Sequence, residues 1–329
     1  MTATDTAFAG AEARRRVTGI LCIIGAAVMF STNDVGVKWL SGDYPLHQVT
    51  FFRSLVALVI TLAVIVPLDG GYRNLRTSRP GMHLMRGLIV VCANMAFFTG
   101  IASLSLADAT AIYFVSPLFI TAMSVVLLGE TVGPRRWAAV LVGLIGVVLV
   151  IQPGGGTFQH AALLPLLAAA AYGLLQITTR KLGVSEKAST MAFYIQFIFL
   201  IFSSVVGLAF GDGRFAGSNN ASIEFLFRAW IMPGPADLLV LCGVGITVSI
   251  GAFLISQGYR LCPAGIGAPF EYAALPLGIT WSILIWGQMP DPLGWLGIVL
   301  IAGAGIYVFV RETMLGRRVQ WKLPPRRGR

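Results

Sequence analysis

The chain has 329 residues, of which 56% are hydrophobic and only 12% charged. Soluble globular domains carry ~25% charged residues, so a domain dissolved in water is excluded, and with it most enzyme classes. The net charge of +10 does not mark a nucleic-acid binder. Its Lys and Arg residues cluster at the ends of apolar runs and in the tail WKLPPRRGR, where they set orientation in a bilayer and favour anionic lipid.

Arg14, Arg15 and Arg16 precede an apolar run longer than the core of a cleaved signal peptide, so the first run reads as a permanent helix. Runs of this kind reach the ~20 residues that cross ~30 Å of hydrocarbon. A backbone in lipid must satisfy its own hydrogen bonds, which makes these runs helices. Ten spans follow along the chain, at 17–40, 46–67, 82–103, 107–128, 136–151, 161–180, 190–210, 236–259, 265–286 and 293–310. Connections are short except 211–235, a polar loop with one interfacial turn at IEFLFRAW. With the N terminus cytoplasmic, twenty of the twenty-four Lys and Arg fall on the inner side; Lys38, Arg53, Arg214 and Arg228 do not. The positive-inside rule then puts both termini in the cytoplasm. Cys22, Cys92, Cys242 and Cys262 have no disulfide or metal spacing, and His47, His83 and His160 none for a metal.

The chain repeats itself weakly but in order. A shift of 142 brings Phe30 onto Tyr172, Lys38 onto Arg180 and Phe52 onto Tyr194. A shift of 158 brings LLGE (127–130) onto IWGQ (285–288) and Trp137 onto Trp295. Each repeat holds five spans. Five is odd, so the second copy enters the membrane from the opposite side. The expected fold is an all-α integral membrane protein of ten transmembrane helices in two inverted five-helix repeats. Residues 17–151 and 161–310 form the repeats, 1–16 a cytoplasmic arm and 311–329 a basic cytoplasmic tail. Inverted repeats recur in secondary transporters, whose solute site lies near the midplane between the halves.

Four stretches carry a family likeness: DVGVKWLSGDYPLHQVTFFRSLVAL (34–58), SLADATAIYFVSPLF (105–119), LLGETVGPRRWAAVLVGLIGVVLV (127–150) and APFEYAALPLGITWSILIWGQMPD (268–291). With them the chain resembles the drug/metabolite transporter superfamily, in its bacterial EamA-type ten-helix branch. The APFEY segment is similar to the subgroup that includes S-adenosylmethionine-type carriers. The second half departs from the pattern, with GQMPD where the first has GE. The resemblance implies a bacterial inner-membrane permease with a central cavity, and names no solute.

Ionisable residues at membrane depth cost ~2.5–3.5 kcal/mol on insertion scales, so each asks for a partner or a role. Asp34 and Arg53 each lie ~9 Å inside the outer end of their spans, on neighbouring helices. An Asp34–Arg53 ion pair is expected, as a clamp between helices or as an outer gate. Lys38, one turn away on the same face, either joins it or snorkels outward. Glu271 lies ~9 Å inside the opposite face, between Pro269 and Pro276. It binds an amine of the solute, carries a coupling proton, or merely hydrogen-bonds a neighbouring helix. Asn94, Gln176, Gln196 and Gln257 are candidates to hydrogen-bond a solute. Tyr113, Phe114, Tyr172, Tyr194, Phe270 and Tyr272 are candidates to stack on it. Pro117 and Pro276 suggest matched kinks in the fourth and ninth spans. Ser249 is a weaker polar candidate; Asp108 and Glu130 lie near helix ends, and Glu130 reads as a surface pair with Arg135 and Arg136.

There is no phosphate-cradling G-x-x-x-x-G-K-[ST] motif and no hydrolase or zinc-protease motif. PGGG (153–156) reads as a turn. No cofactor and no metal are expected. The partners are a small-molecule solute and membrane lipid, with a homodimer left open and nucleic acid excluded. The leading function is secondary transport of a small polar metabolite, amino-acid-like or nucleoside- and cofactor-like, by exchange, proton coupling or facilitation. An intramembrane lipid-modifying enzyme and a non-transporting scaffold are the alternatives. The enzyme is disfavoured because Asp34 and Glu271 are expected near opposite faces.

Overall fold

A computed structural model describes residues 3–129, 133–152, 160–182, 188–262 and 268–320. Glu130, the PGGG turn, Lys187 and the tail beyond Gln320 lie outside them. The described residues are helical and form no strand.

In chain order, α1 is Ala3–Leu40 and α2 is Leu46–Ile60, which runs on through a π turn at Thr61–Ile65 to Leu68. Next come α3 (Pro80–Ser103), α4 (Leu106–Tyr113), α5 (Ser116–Leu128) and α6 (Pro134–Ile151). The second half holds α7 (Leu163–Leu182), α8 (Ala188–Phe210), the short α9 (Ala221–Phe227) and α10 (Pro235–Leu261). A 3-10 turn at Ala268–Ala273 leads into α11 (Ala274–Trp286), and α12 is Pro292–Gln320. Six stretches are long and apolar enough to cross a membrane: Arg14–Leu40, Leu46–Leu68, Pro80–Ser103, Leu106–Leu127, Ser189–Phe210 and Pro235–Ile255. Four shorter apolar helices accompany them, at Trp137–Ile151, His160–Gln176, Phe270–Trp286 and Pro292–Val308.

The fourth span is not one helix. It breaks at Phe114–Val115 and restarts with Pro117 at its second position. Proline has no N–H to give the Tyr113 carbonyl four residues back, and its ring would clash there. The ninth span opens as a 3-10 turn holding Pro269, and becomes α-helical only at Ala274. The two restarts, Ser116 and Ala274, lie 158 residues apart. So do the left-handed glycine caps Gly129 and Gly287 and the first residues Pro134 and Pro292 of α6 and α12. The ends of α1 and α7, Leu40 and Leu182, lie 142 apart, as do the starts of α2 and α8. The breaks match, but Pro117 and Pro276 are one residue out of register.

Small residues set the close helix crossings. A Cβ on Gly146 of α6 would sit 2.8 Å from the carbonyl oxygen of Gly297 and 2.9 Å from a carbon of Ile301 on α12. Gly19 of α1 and Gly258 of α10 meet in the same way. Where lipid is as apolar as the side chains, such backbone contact replaces the hydrophobic drive between helices.

The connection 211–234 is more ordered than a polar loop. Phe225 of α9 is fully buried in a core shared with Val37, Leu46, Phe98 and Leu241. Ser222 donates to the Thr99 carbonyl at 2.7 Å, and Gln48 to that of Ile231 at 2.6 Å. Arg228 donates to the Gly42 carbonyl, Tyr44 to Asp237 at 2.7 Å, and Trp230 stacks on His47. The segment thus caps the end of the bundle where α1 and α3 stop. Its one apolar anchor pulls the polar chain down onto the helices.

Gly146→Val is expected to force α6 from α12 at an overpacking cost of about 1–3 kcal/mol. A lower thermal midpoint in detergent, with α6 otherwise intact, is the readout. An unchanged midpoint would show that the crossing has slack.

Candidate functional site

Where the two helix breaks meet, aromatic rings assemble. Phe114, in the first break, packs on Tyr272 in the second with ring centroids 4.9 Å apart. The Tyr272 hydroxyl donates to the Phe114 carbonyl at 3.3 Å, so a carbonyl at the break is satisfied from the opposite half. Tyr113 touches Phe97 at 5.2 Å and Tyr172 at 5.8 Å. Gln176 donates to the Tyr172 hydroxyl at 2.8 Å, one turn along α7. Tyr113, Phe114, Tyr172 and Glu271 remain half-buried although α3, α4, α7 and the Ala268–Ala273 turn surround them.

Residues 113 and 271 are counterparts at the 158 spacing, and so are 114 and 272. The ring cluster therefore joins counterpart positions of the two helix breaks.

Both membrane carboxylates are directed at this cluster. Tyr113 lies within electrostatic reach of Asp34 and of Glu271, and Glu271 also reaches Tyr172 and Tyr272.

The expected Asp34–Arg53 ion pair does not close. The two feel each other's charge, but among the described residues no salt-bridge contact joins them. Instead Asn33 donates to Asp34 at 3.0 Å. Arg53 lies between the rings of Phe98 and Phe199, each centroid 5.1 Å from its guanidinium carbon. It is 2% exposed, and its Nε has no hydrogen-bond partner.

Lys38 neither joins a pair nor snorkels. Its buried ammonium donates to the carbonyls of Ile101 at 2.8 Å and Leu104 at 2.5 Å, and sits 5.3 Å from the ring centre of Trp286. The last carbonyls of a helix have no partner within it and carry the negative end of the macrodipole. Lys38 of α1 is the C-cap of α3. Asp108, at the start of α4 as expected, is half-buried within electrostatic reach of Lys38; Ser105 caps that helix, accepting from the Asp108 backbone N–H at 3.0 Å and donating to its carboxylate at 2.6 Å.

The other candidates divide. Asn94 lies on α3 one turn from Phe97 and Phe98, and donates to the Val90 carbonyl at 3.1 Å. Gln196 is buried with its Oε1 unpartnered, three residues from Phe199 on α8. Tyr194 belongs elsewhere: its hydroxyl donates to the Leu75 carbonyl at 3.0 Å and its ring stacks on His83. Phe270 is 37% exposed, unlike its neighbour Tyr272. Gln257 stands beside the Gly258–Gly19 crossing, toward the N-terminal part of α1. Ser249 is buried, its hydroxyl unpartnered. Sequence reasoning missed Phe97, Phe98 and Phe199. The pair FF in NMAFFTG was visible, but in a chain with twenty phenylalanines nothing local distinguishes a site ring from a lipid-facing one. Among the described residues no cluster of ligating side chains could hold a metal ion.

Residues 17–152 match the EamA-like transporter family. That segment is an EamA-like transporter domain. The likeness to the drug/metabolite transporters drawn from the motifs is borne out. Over nearly all its length the chain is also similar to curated transporters. It is 27% identical to the riboflavin transporter of Rhizobium johnstonii, across 93% of this chain and 96% of that protein. It is 27% identical to the S-adenosylmethionine uptake transporter of Rickettsia prowazekii, across 90% and 94%. It is 28% identical to the riboflavin transporter of Vibrio cholerae, across 91% and 95%. A chain of known crystal structure, 21% identical, superposes with a TM-score of 0.61 over 92% of this chain and 99% of its own, which shows a shared fold. The chain that carries this EamA-like segment is a multi-pass inner-membrane transport protein and not an enzyme.

Lys38→Met is expected to strip two buried α3 carbonyls of their donor, at about 1–3 kcal/mol. The check is a thermal melt of the purified variant. A midpoint equal to that of the parent would mean the end of α3 finds another cap.

Proposed function

We propose that the chain is a secondary transporter that moves a small polar metabolite bearing a planar ring system, of nucleoside or cofactor type. In this reading ten transmembrane helices form two inverted five-helix halves, 17–151 and 161–310, with both termini cytoplasmic. The segment 211–234 caps the outer end. The solute binds at the ring cluster between the halves, and the halves rock about it to open alternately to each side.

One observation carries the reading: counterpart residues of the two breaks, Phe114 with Tyr272 and Tyr113 with Glu271, face one another. A site on the symmetry axis of two inverted halves is equally placed for either exit. Tyr113, Phe114, Tyr172 and Tyr272 offer faces on which a heteroaromatic ring stacks, worth about 1–3 kcal/mol per ring. The names of the relatives, riboflavin and S-adenosylmethionine transporters, fit that class, since both compounds carry a fused nitrogen heterocycle. Glu271 serves either the solute's amine or a coupling proton. No ATP-binding motif is present in the sequence, so a gradient supplies the work.

Reconstituted protein should take up radiolabelled riboflavin or S-adenosylmethionine saturably. Tyr113→Ala should weaken apparent affinity by about tenfold or more, the equivalent of one lost ring contact, while Tyr113→Phe retains most of it. Uptake of neither compound would sink this substrate class. Glu271→Gln separates its two roles. Loss of stimulation by an imposed pH gradient marks a coupling proton, whereas a raised KM with that stimulation intact marks an amine site.

A further inference from the structure

Arg53 is hard to explain as packing. It stands at membrane depth on α2, 2% exposed, with no salt bridge to Asp34 and with its Nε unpartnered. Neither of its terminal nitrogens makes a hydrogen bond among the described residues. A buried charge without a hydrogen-bonded counter-ion is costly, and removing such a charge often stabilises a protein. Cation–π contact with Phe98 and Phe199, each at 5.1 Å, offsets part of that cost.

Two rings lie against the guanidinium, each centroid 5.1 Å from its central carbon, and neither supplies a hydrogen-bond acceptor. The guanidinium N–H donors lie in its plane, along the edge, as a rigid fork that matches the two oxygens of a carboxylate or phosphate. Asp34, the nearby carboxylate, is engaged by Asn33 and does not reach the fork. Gln196 adds a second polar group without a partner on the same face of α8 as Phe199. Its amide can donate to an oxyanion once flipped.

The bracket is joined to the ring cluster. Phe98 touches Phe97 at 5.6 Å, and Phe97 touches Tyr113 at 5.2 Å. Arg53 and the ring cluster therefore adjoin through the buried rings of Phe98 and Phe97. We propose that Arg53 is an oxyanion subsite of the solute site, so that the transported molecule carries a carboxylate or phosphate beyond its ring system. This rests on the transport reading above and narrows its substrate class. The bound oxyanion supplies the hydrogen-bonded partner that Asp34, within electrostatic reach but not in contact, does not, and the Phe98 and Phe199 rings pack against the fork.

Two matched probe pairs test it on the purified full-length protein, with dissociation constants read from tryptophan quenching. One pair is riboflavin and riboflavin phosphate. The other is S-adenosylmethionine and its decarboxylated form. In at least one pair the member with the oxyanion should bind about tenfold more tightly or better, the contribution of a charge-assisted hydrogen bond. Which pair responds distinguishes phosphate from carboxylate. Arg53→Gln should abolish that preference while leaving the affinity for the other member within about threefold. Arg53→Lys, which keeps the charge but loses the fork, should retain only part of it, and serves where the glutamine variant does not fold. Equal binding within both pairs by the unsubstituted protein overturns the oxyanion subsite and leaves the transport reading standing. Preference that survives Arg53→Gln overturns the assignment to Arg53. Binding of none of the four compounds sinks both readings.

Discussion

The hydrogen bond from Tyr272 to the Phe114 carbonyl, with the ring contact beside it, sets the terms for the rest of the molecule. Lipid offers no partner for a backbone group that leaves the α-helix. Both the fourth and ninth spans leave it, at Phe114–Val115 and at Ala268–Ala273. Each break is tolerable only where protein or enclosed water can satisfy it. The two breaks meet and serve one another. That forces the halves to share an interior, and places at the junction the side chains that flank the breaks: Tyr113, Phe114, Glu271 and Tyr272.

The charged residues obey the same constraint in different ways. Lys38 spends its charge on the orphan carbonyls at the end of α3, a structural duty that ties α1 to α3 beside the capped end. At the start of α4 the Ser105 hydroxyl accepts from the Asp108 backbone N–H and donates to the Asp108 carboxylate. Asp34 and Glu271 are both within electrostatic reach of Tyr113, beside the ring cluster proposed to bind the solute. Arg53 is held by rings and not by a carboxylate. Lys38 and Asp108 thus hold helix ends, whereas Asp34, Arg53 and Glu271 lie among the aromatic rings.

Much of this was legible in the residues. Apolar runs of ~20 with basic ends read directly as spans, because hydrocarbon thickness fixes their length. The 142 and 158 spacings were visible as scattered identities, and the helix boundaries Leu40 and Leu182, Ser116 and Ala274, Gly129 and Gly287 follow them closely. Pro117 announced a kink near the right place, since a missing N–H is a local fact. The partners of charged residues were not legible. Asp34 and Arg53 looked paired because both sat at similar depth on successive helices. Depth does not say which way a side chain points about the helix axis, and an unlisted pair of phenylalanines, Phe98 and Phe199, claimed the arginine first. Tyr194 and Gln176 looked alike as candidates, yet one ties α8 to the Leu75 carbonyl and the other braces Tyr172.

The sequence by itself determined that the chain lives in a membrane, where its helices fall and that its halves are related. Those properties follow from composition, length and local backbone chemistry, which act on neighbours along the chain. Tertiary structure alone decided which rings enclose Arg53, that Lys38 caps α3, and that Asp34 and Glu271 converge on Tyr113. Those depend on the azimuth and tilt at which helices from both halves pack, and close crossings such as Gly146 on Gly297 set them far from the residues they position.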